Sequence, residues 1–515
     1  MPTFDYIIVG AGSAGCAAAS RLSADSETDV LLLEAGAPDE EHEDEIYTPA
    51  LFPQLFKSDA DWEYYTEPQA EMNDRELYHP RGKTLGGTSS LNAQIYNRGN
   101  PWDYDNWAAL GNDGWSFDEM RSVFERAEDF QGTGDPAYHG TGGPLTVSDI
   151  VSPHPASKRF IEAAQACGLD HNLDFNGKTQ CGAGLYHVTQ RDGERCSAAA
   201  AYIKPALKRP NLTVETRAHV TEIRFDGDRA VGVSYTQGGK KHTADVSGEV
   251  VVSGGAYNSP QLLMLSGIGP AAHLEEHGID VRVDLPGVGR NLQDHLFTFV
   301  VYERTDDAAP APTSNIGEAG GYLYVDEREP APDLQFHFCP VYYMEHGFAN
   351  PDGLGFSIGS TQVRPESVGT VELSSADPME DPIIDPQYLT ADPDLHVLRE
   401  GIKRAREIAQ AGPFDAIRGR EVWPGEDVQT DTEIEAHIRE TAHTIYHPVG
   451  TCKMGTADDD HAVVDSQLRV RGVRGVRVAD TSVMPKITSG NTNAPAIAIG
   501  ERVANYVAQN PSAEV

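Results

Sequence analysis

The segment that most constrains the fold is DYIIVGAGSAGCAAASRLS, which begins at Asp5. Residues 6–9 form an apolar run of the kind found in strands that are buried on both faces. Gly10, Gly12 and Gly15 follow in a GxGxxG pattern and lead into an alanine-rich helix. These glycines allow a tight turn, a close approach of the backbone to a pyrophosphate, and close packing of the helix on the strand. We therefore predict a Rossmann-like α/β unit that binds a dinucleotide.

The second strand supplies the next part of this site. Asp29 to Leu33 predict the second strand, with an apolar run from Val30, and Glu34 ends it, about 20 residues after the glycine motif. A carboxylate at this distance suits two ribose hydroxyls and would repel a 2′-phosphate. The free N–H groups at the start of the helix, at Ser13 and Ala14, would face the phosphates. NAD and FAD both fit this motif when it is taken alone.

Two further segments favour FAD. RGKTLGGTSSLNAQIYNRG, residues 81–99, places paired glycines beside small hydroxyl residues, so this loop can lie flat against a large ring system. VVSGGAYNSPQLLMLSGIGP, residues 251–270, is typical of a strand, a glycine turn and a helix that we expect to begin at Ser259 and Pro260. That helix would direct a second N-terminus towards a ligand.

The segment GVRVADTSVMPKITSGNTNAPAIAIGERVANYV completes the same domain. Residues 475–479 predict a buried strand with Asp480 at its carboxyl end, where open α/β sheets bind ligands. A closing helix follows, with Pro495 in its first turn. On this interpretation the first and last elements belong to one nucleotide-binding domain.

The charge of the chain excludes one class of partner. The sequence has 79 acidic and 40 basic residues, for a formal net charge of −39. Nucleic-acid binding needs clustered Lys and Arg, so we do not expect a nucleic-acid partner. The acidic residues are spread along the chain, which favours a solvating surface suited to high salt, as in halophiles.

The sequence predicts a cytoplasmic protein without a membrane span. It contains no apolar run of the length that crosses a bilayer, and no signal peptide precedes the first strand. The six cysteines are scattered and form no CxxC pair, which argues against a disulfide framework or a zinc ribbon.

Five ordered motifs give the sequence a resemblance to the glucose–methanol–choline family of FAD-dependent oxidoreductases, and within it to choline-dehydrogenase-like alcohol dehydrogenases. The motifs are IIVGAGSAG, GGTSSLN, GGAYNSPQLLMLSGIGP, YHPVGTCKMG and VADTSVMPKITSGNTNAPAIAIGER. The resemblance implies an FAD-binding domain built from residues 1–157, 195–300 and 450–515. It also implies a substrate domain with an antiparallel sheet, from residues 158–194 and 301–449, where APDLQFHFCPVYY and TVELSS are typical of strands.

The resemblance further implies which residues hold FAD. Some members attach FAD through a histidine just before the asparagine of the GGTSSLN loop, and Leu91 stands at that position here. We therefore expect FAD bound without a covalent link. The residues expected to contact it are Gly10, Gly12, Ser13, Ala14, Gly15, Glu34, Ala35, Gly87, Ser90, Asn92, Ala93, Val220, Asp480, Asn491 and Thr492.

The segment HTIYHPVGTCKMG, residues 443–455, could be a metal site, a nucleophile with its base, or one half of a site completed elsewhere. A metal site is disfavoured, because no glutamate follows His443 and Pro448 ends any helix there. Cys452 is disfavoured as a nucleophile, because it lies in a segment that resembles a structural part of the family. The resemblance instead implies that His447 is the catalytic base and that His443 is structural. We expect no metal.

The catalytic partner of His447 is expected in the GNTNAP segment. Family members have a histidine or an asparagine at the start of the closing helix, and Asn491 stands there in this chain. Asparagine cannot act as a base, so Asn491 would hydrogen-bond the substrate oxygen and the developing alkoxide. A neutral imidazole, with an ordinary pKa of about 6.5, suits removal of a hydroxyl proton near neutral pH.

These residues predict FAD-dependent oxidation of an alcohol to an aldehyde or ketone, by hydride transfer to flavin N5. Electrons would pass to a quinone or another acceptor, while an oxidase that uses oxygen and a flavin-containing hydroxynitrile lyase stay open as alternatives. The alcohol is not defined by the motifs. Choline would need a carboxylate and aromatic faces, for which Tyr342, Tyr343 and Glu345 are candidates.

Overall fold

The chain forms two seven-stranded sheets in a computed structural model that describes residues 3–349 and 351–509. The first, the mixed sheet, contains the strand of the glycine motif. Its strands lie in the order Leu212–Glu215, Val30–Leu33, Thr3–Val9, Lys240–Val252, Arg229–Gln237 and Ala218–Asp226, with Val476–Val478 also beside Lys240–Val252.

The parallel part of the mixed sheet forms the predicted Rossmann-like core. Ile7 pairs with Leu31 on one side and with Val250 on the other, both in parallel register. Strands of this kind are buried on both faces, which explains their unbroken Val, Ile and Leu content. The helix Ser13–Leu22 follows the first strand, as the glycine motif predicted.

The first and last helices pack closely beside this sheet. Asn493–Gln509 lies against Ser13–Leu22. A Cβ on Gly500 would lie 2.2 Å from the carbonyl oxygen of Ala14, so only glycine permits this approach of the two backbones. Segments from both ends of the chain therefore pack against each other beside the first strand.

The second sheet, the antiparallel sheet, lies in the middle of the sequence, and its presence confirms the predicted fold class. Its strands lie in the order Arg418–Trp423, Leu296–Arg304, Leu354–Gln362, Leu334–Cys339, Ala319–Leu323 and Gly182–Leu185, with His443–Thr444 also beside Leu296–Arg304. The helices Pro155–Ala166, Asp392–Gln410 and Asp431–Thr441 contribute side chains to the hydrophobic core beside it. Two other helices are Pro101–Ala109 and Phe117–Ala127.

The predicted domain borders stay a prediction. Two regular elements cross them: the helix Pro155–Ala166 crosses the border after residue 157, and the strand Leu296–Arg304 crosses the border after residue 300.

The helix predicted to begin at Ser259 begins instead at Gly255 and ends at Leu265, with Pro260 inside it. Proline lacks the N–H that would bond the carbonyl oxygen four residues earlier. That oxygen, on Ala256, accepts a hydrogen bond of 2.6 Å from Oγ1 of Thr451. A distant side chain thus satisfies the acceptor, and the helix tolerates the proline.

TVELSS also lies elsewhere than expected. Gly369–Glu372 belongs to a separate three-stranded sheet with Arg290–Leu292 and Ile383–Asp385. Short strands of alternating polarity do not identify their partners, so the sequence pattern could not distinguish the two sheets.

Candidate active site

One cavity joins the N-terminal glycine motif to the HTIYHPVGTCKMG segment. We call the part around Gly12 and Glu34 the nucleotide end and the part around His447 the histidine end. The predicted site residues that line the cavity are Gly10, Gly12, Ser13, Ala14, Glu34, Ala35, Gly87, Asn92, Ala93, Val220, His447, Asp480, Asn491 and Thr492. Gly15 and Ser90 do not line it.

Glycines shape the nucleotide end by packing closely and by leaving space. Gly10 has a φ of +96°, in the region that favours glycine. A Cβ on Gly15 would lie 1.9 Å from the carbonyl oxygen of Gly10, so Gly15 serves the contact between helix and strand. A Cβ on Gly12 would meet no atom within 4 Å, which leaves the backbone open to the cavity. This geometry fits a pyrophosphate at the helix N-terminus.

Glu34 is buried at the nucleotide end and keeps acceptor capacity for a ligand. Its two carboxylate oxygens accept hydrogen bonds from the N–H groups of Ala11, at 2.8 Å, and Gly36, at 2.9 Å. Burial raises the pKa of Glu34 to about 7 in spite of these bonds. Hydroxyl donors from a ribose would favour the charged form, so the residue fits an adenosine-type ligand such as FAD.

Asp480 lines the cavity, but its carboxylate is engaged by the protein. Oδ2 accepts hydrogen bonds from the N–H of Gly255 at 2.9 Å and from Oγ of Ser259 at 2.5 Å. Oδ1 accepts a bond from the N–H of Ser482 at 2.8 Å. Asp480 therefore fixes the start of the helix Gly255–Leu265 beside the cavity.

Arg195, which the sequence interpretation missed, holds the GGTSSLN loop. Its guanidinium donates to the carbonyl oxygens of Ser89, at 3.1 Å, and Asn92, at 2.7 Å, and to Oδ1 of Asn92 at 2.8 Å. Burial lowers the pKa of Arg195 to about 9. The segment GERCSAAA around it carries no motif that would have revealed this role.

At the histidine end the structure brings His447 and Asn491 together. Nδ2 of Asn491 lies 3.2 Å from Nε2 of His447. Oδ1 of Asn491 accepts a hydrogen bond of 3.1 Å from Nε2 of Gln335, on the strand Leu334–Cys339. Because Oδ1 is an acceptor in that bond, the amide presents its donor side to the histidine.

A second histidine, His295, determines which nitrogen of His447 carries the proton. Nε2 of His295 lies 3.2 Å from the carbonyl oxygen of Val363, and its Nδ1 lies 3.0 Å from Nδ1 of His447. A carbonyl can only accept, so Nε2 of His295 is the donor there, and Nδ1 of a neutral His295 is then an acceptor. His447 consequently donates through Nδ1 and keeps a lone pair on Nε2.

Asp294 holds the backbone of both histidines. Its Oδ1 accepts hydrogen bonds from the N–H groups of His295, at 2.9 Å, and His447, at 2.8 Å. Its Oδ2 accepts from the hydroxyls of Tyr388 and Thr444. Asp294 ties the start of the strand Leu296–Arg304 to the HTIYHPVGTCKMG segment, and no sequence motif predicted this role.

The imidazoles at the histidine end are neutral for a physical reason. Burial lowers the pKa of His447 well below its ordinary value, and neighbouring His295 and His337 lower it further. Burial also lowers the pKa of both His295 and His337 to about 3. His337 lines the cavity, and within the described part of the chain its Nε2 has no hydrogen-bond partner. These imidazoles are therefore neutral acceptors or donors near pH 7.

His443 lies behind the cavity wall. Its Nδ1 lies 2.8 Å from the carbonyl oxygen of Thr444, and its ring packs 5.4 Å from that of Phe299, measured between centroids. Burial lowers the pKa of His443 to about 4. The side chain is not part of the cavity lining.

Among residues 3–349 and 351–509, no group of three or more His, Cys, Asp or Glu side chains has the arrangement of a metal site. Over the same residues, none of the helices combines the length and apolar character needed to cross a membrane.

A Rossmann-like sheet, an open glycine turn and a neutral histidine pair on one cavity define a dinucleotide-dependent oxidoreductase. The chain matches family models described as GMC oxidoreductase over residues 4–297 and over residues 365–500. It therefore belongs to the GMC oxidoreductase family of FAD-binding enzymes, as the motifs predicted.

Curated relatives and solved structures match along almost the whole chain. An alcohol dehydrogenase [acceptor] of Pseudomonas putida is 44% identical, covering 98% of this chain and 95% of its own length. Mitochondrial choline dehydrogenase of Mus musculus is 40% identical, covering 99% and 90%. The crystal structure of a pyridoxine 4-oxidase from Mesorbium loti has a TM-score of 0.92 and 33% identity, covering 98% and 99%. A formate oxidase of Aspergillus oryzae, studied for FAD modification, has a TM-score of 0.92 and 27% identity, covering 99% and 98%.

Proposed function

We propose that this protein oxidises the CH–OH group of an alcohol to an aldehyde or ketone, with His447 as base and Asn491 as hydrogen-bonding partner. The observation that most directly supports this proposal is the position of Nε2 of His447, which has a lone pair and lies 3.2 Å from Nδ2 of Asn491. Both residues line a cavity that continues to the nucleotide end. Relatives named alcohol dehydrogenase and choline dehydrogenase support an alcohol as substrate.

The two side chains divide the work on the hydroxyl group. The alcohol O–H donates to Nε2 of His447, which takes the proton as the carbonyl forms. Nδ2 of Asn491 donates to the same oxygen and stabilises its developing negative charge. Nδ1 of His295 accepts a hydrogen bond from Nδ1–H of His447. This bond disfavours the tautomer of His447 with its proton on Nε2, which could not accept the proton of the alcohol. When bound, FAD supplies the oxidant, accepting the hydride that leaves the carbon.

We further propose that FAD binds without a covalent link. Leu91 lines the cavity where a histidine would be needed for attachment, and it packs with Ile46, Leu55 and Ala60. Its side chain has no nucleophilic atom. Acid precipitation of the purified protein should leave yellow FAD in the supernatant, and flavin retained in the washed pellet would refute the proposal.

A quinone or another organic carrier is the proposed acceptor, with oxygen as the second candidate. The similarity to a solved pyridoxine 4-oxidase supports this second candidate.

The acidic composition supports a salt-rich cytoplasm as the location. A melting temperature that rises with potassium chloride would support that location, and one that falls steadily would contradict it.

The decisive experiment mixes the holoenzyme with alcohols under anaerobic conditions and follows the flavin absorbance. Bleaching of the flavin by an alcohol would establish the oxidation. Cyanohydrin cleavage without bleaching would instead identify a lyase. Readmission of air then separates the acceptors, because an oxidase releases peroxide at the rate of turnover and a dehydrogenase needs an added quinone.

A further inference from the structure

The cavity wall near His447 is built from apolar and aromatic side chains. Those that line the cavity and belong to a single hydrophobic cluster include Phe52, Phe56, Phe297, Ile316, Tyr343 and Ile445. We call this set the apolar wall. Its place at the histidine end follows from two ring contacts, 5.4 Å from Phe297 to His337 and 5.5 Å from Phe56 to Tyr446, both between centroids.

Charged groups in this region do not favour a cationic substrate. The carboxylates among the lining residues are Glu34 and Asp480, which belong to the nucleotide end and accept backbone N–H bonds. Asp294 lies behind His447, with its oxygens engaged by neighbouring hydroxyl and N–H groups. The lining also contains Arg81, which donates to the carbonyl oxygen of Tyr446 at 2.7 Å. The fixed charge that faces the cavity beside His447 is therefore positive.

Of the three residues that were candidates for a cation site, two lie outside the cavity lining. Glu345 is exposed, and neither Glu345 nor Tyr342 lines the cavity. Tyr343 does line it, but its hydroxyl pairs with that of Tyr446 at 3.0 Å. A quaternary ammonium group would meet aromatic faces without a counter-charge.

Ile316 is held in the apolar wall at a cost to the backbone. Its φ is +65°, a conformation that is a genuine outlier for a β-branched residue. The surrounding loop imposes it: the side chain of Asn315 donates to the carbonyl oxygen of Ala93 at 2.9 Å, and the N–H of Ile316 donates to Oγ of Ser314 at 3.1 Å. Strain of this kind clusters at functional sites. An aliphatic side chain is thus kept at a position where Gly, Asn or Asp would be relaxed.

We propose that the substrate is a neutral alcohol with an apolar tail, not a quaternary ammonium alcohol, and that Ile316 is a specificity-determining residue. This inference rests on the proposed alcohol oxidation and adds the chemical class of the alcohol. Moving a cation out of water carries a desolvation cost, and contacts with aromatic faces offset only part of it when no carboxylate is present. An apolar tail gains free energy from the same wall.

The first test uses two alcohols of the same shape and different charge, choline and 3,3-dimethylbutan-1-ol. Anaerobic stopped flow with the holoenzyme gives the rate constant of flavin reduction divided by the dissociation constant for each. We expect this ratio to be at least about tenfold higher for the neutral alcohol, given the desolvation cost. Equal values or a preference for choline would overturn the proposal.

A second measurement uses straight-chain primary alcohols of increasing length. Each methylene buried against the apolar wall should raise the same ratio about fourfold until the wall is covered. A series that is flat from ethanol onwards would mean that the tail does not contact the wall, and would also overturn the proposal.

The third test replaces Ile316 by a matched pair, Ile316→Asp and Ile316→Asn. Both residues tolerate the left-handed backbone, so they differ mainly in charge. Ile316→Asp should raise the preference for choline over 3,3-dimethylbutan-1-ol at least about tenfold relative to Ile316→Asn, because a carboxylate within about 6 Å favours a cation. Equal preferences in the two variants would remove Ile316 from the substrate contact.

These outcomes separate the inference from the proposed function. If no alcohol bleaches the flavin, alcohol oxidation itself fails. If alcohols bleach it and choline is the best, oxidation stands and the substrate class is wrong.

Discussion

Two buried histidines in this protein have opposite electrostatic surroundings. His139 lies between two carboxylates, with Nδ1 3.1 Å from Glu128 and Nε2 2.9 Å from Asp174. His447 faces another imidazole and an amide, at 3.0 and 3.2 Å. Burial disfavours the charged form of both, yet bonds to Asp174 and Glu128 raise the pKa of His139, whereas the pKa of His447 falls well below its ordinary value.

The difference teaches that a buried histidine favours its charged form only where its partners outweigh the effect of burial. Both ring nitrogens of His139 face carboxylate acceptors, which raises its pKa and favours its charged form. His139 thus serves as a structural cross-link together with Arg98, which donates to the same Glu128 oxygen at 2.5 Å. His447 is kept neutral with an acceptor lone pair on Nε2, the state that a base requires. We therefore expect mutations at the first site to change stability and mutations at the second to change chemistry.

His447→Ala should give the largest effect on chemistry. Loss of a general base typically slows a proton-coupled step by about 10²–10⁴-fold, so flavin reduction by a saturating alcohol should fall by that factor. FAD content and the free energy of unfolding should change little by comparison. Anaerobic stopped flow on the purified variant measures the rate.

His443→Ala is the matched control, since this buried imidazole lies outside the cavity lining. A fast His447→Ala enzyme together with an inactive His443→Ala enzyme would exchange the roles assigned to the two residues.

Glu128→Gln should give the largest effect on stability. The variant leaves Arg98 and His139 without their shared carboxylate, and breaking a buried ion pair typically costs about 3–5 kcal/mol. Urea unfolding followed by circular dichroism measures it, while flavin reduction per bound FAD should stay near the wild-type rate. Glu125→Gln provides the control, because its pair with Arg121 is about one-third exposed and such pairs contribute at most about 1 kcal/mol. Equal losses in the two variants would contradict the cross-link role.

His295→Phe should have an intermediate effect on chemistry. Without an acceptor for Nδ1–H, His447 can populate the tautomer that carries its proton on Nε2, so we expect reduction to slow by about tenfold, equivalent to about 1.4 kcal/mol. His295→Gln offers an amide oxygen as acceptor and should recover part of the rate. If both variants reduce flavin equally slowly, His295 acts through packing and not through the hydrogen bond.

The smallest expected effect is a difference in pH dependence between His139, which acts on stability, and His447, which acts on flavin reduction. His139 has a raised pKa in the folded state, so its stabilisation is full below about pH 6.5 and is lost as pH rises through the folded value. The unfolding free energy of the wild type minus that of His139→Gln should therefore shrink as the pH rises above about 6.5. Flavin reduction should show no inflection near pH 6.5, since the lowered pKa keeps His447 neutral there. A rate that halves at pH 6.5 through protonation of His447 would contradict this assignment.

The two ends of the cavity differ in how far the sequence could predict them. At the nucleotide end, strand, glycines, helix and Glu34 follow one another within a short segment, so local patterns predicted the geometry. The histidine end combines Asp294, His295, Gln335 and Val363 with the HTIYHPVGTCKMG segment, and only antiparallel pairing brings them together. No local periodicity reports such contacts, which explains why family resemblance found His447 and Asn491 while their supporting residues were missed.

The helix from Gly255 illustrates the same limit on a smaller scale. Pro260 is a reliable signal for a helix start when only local chemistry acts. Here Thr451 satisfies the carbonyl that the proline leaves, and Asp480 bonds the first N–H group. Both partners lie about 200 residues further along the chain, beyond the reach of sequence rules of this kind.

The close contact of Gly500 with Ala14 has a consequence for the order of events during synthesis. The glycine turn leaves the ribosome well before Asn491, Thr492 and the helix that packs on Ser13–Leu22. A nascent chain can thus fold its first strands long before the cavity wall is complete. We therefore expect cofactor capture to follow the synthesis of Asn491, and we expect a ribosome-bound chain stalled before this residue to retain flavin poorly.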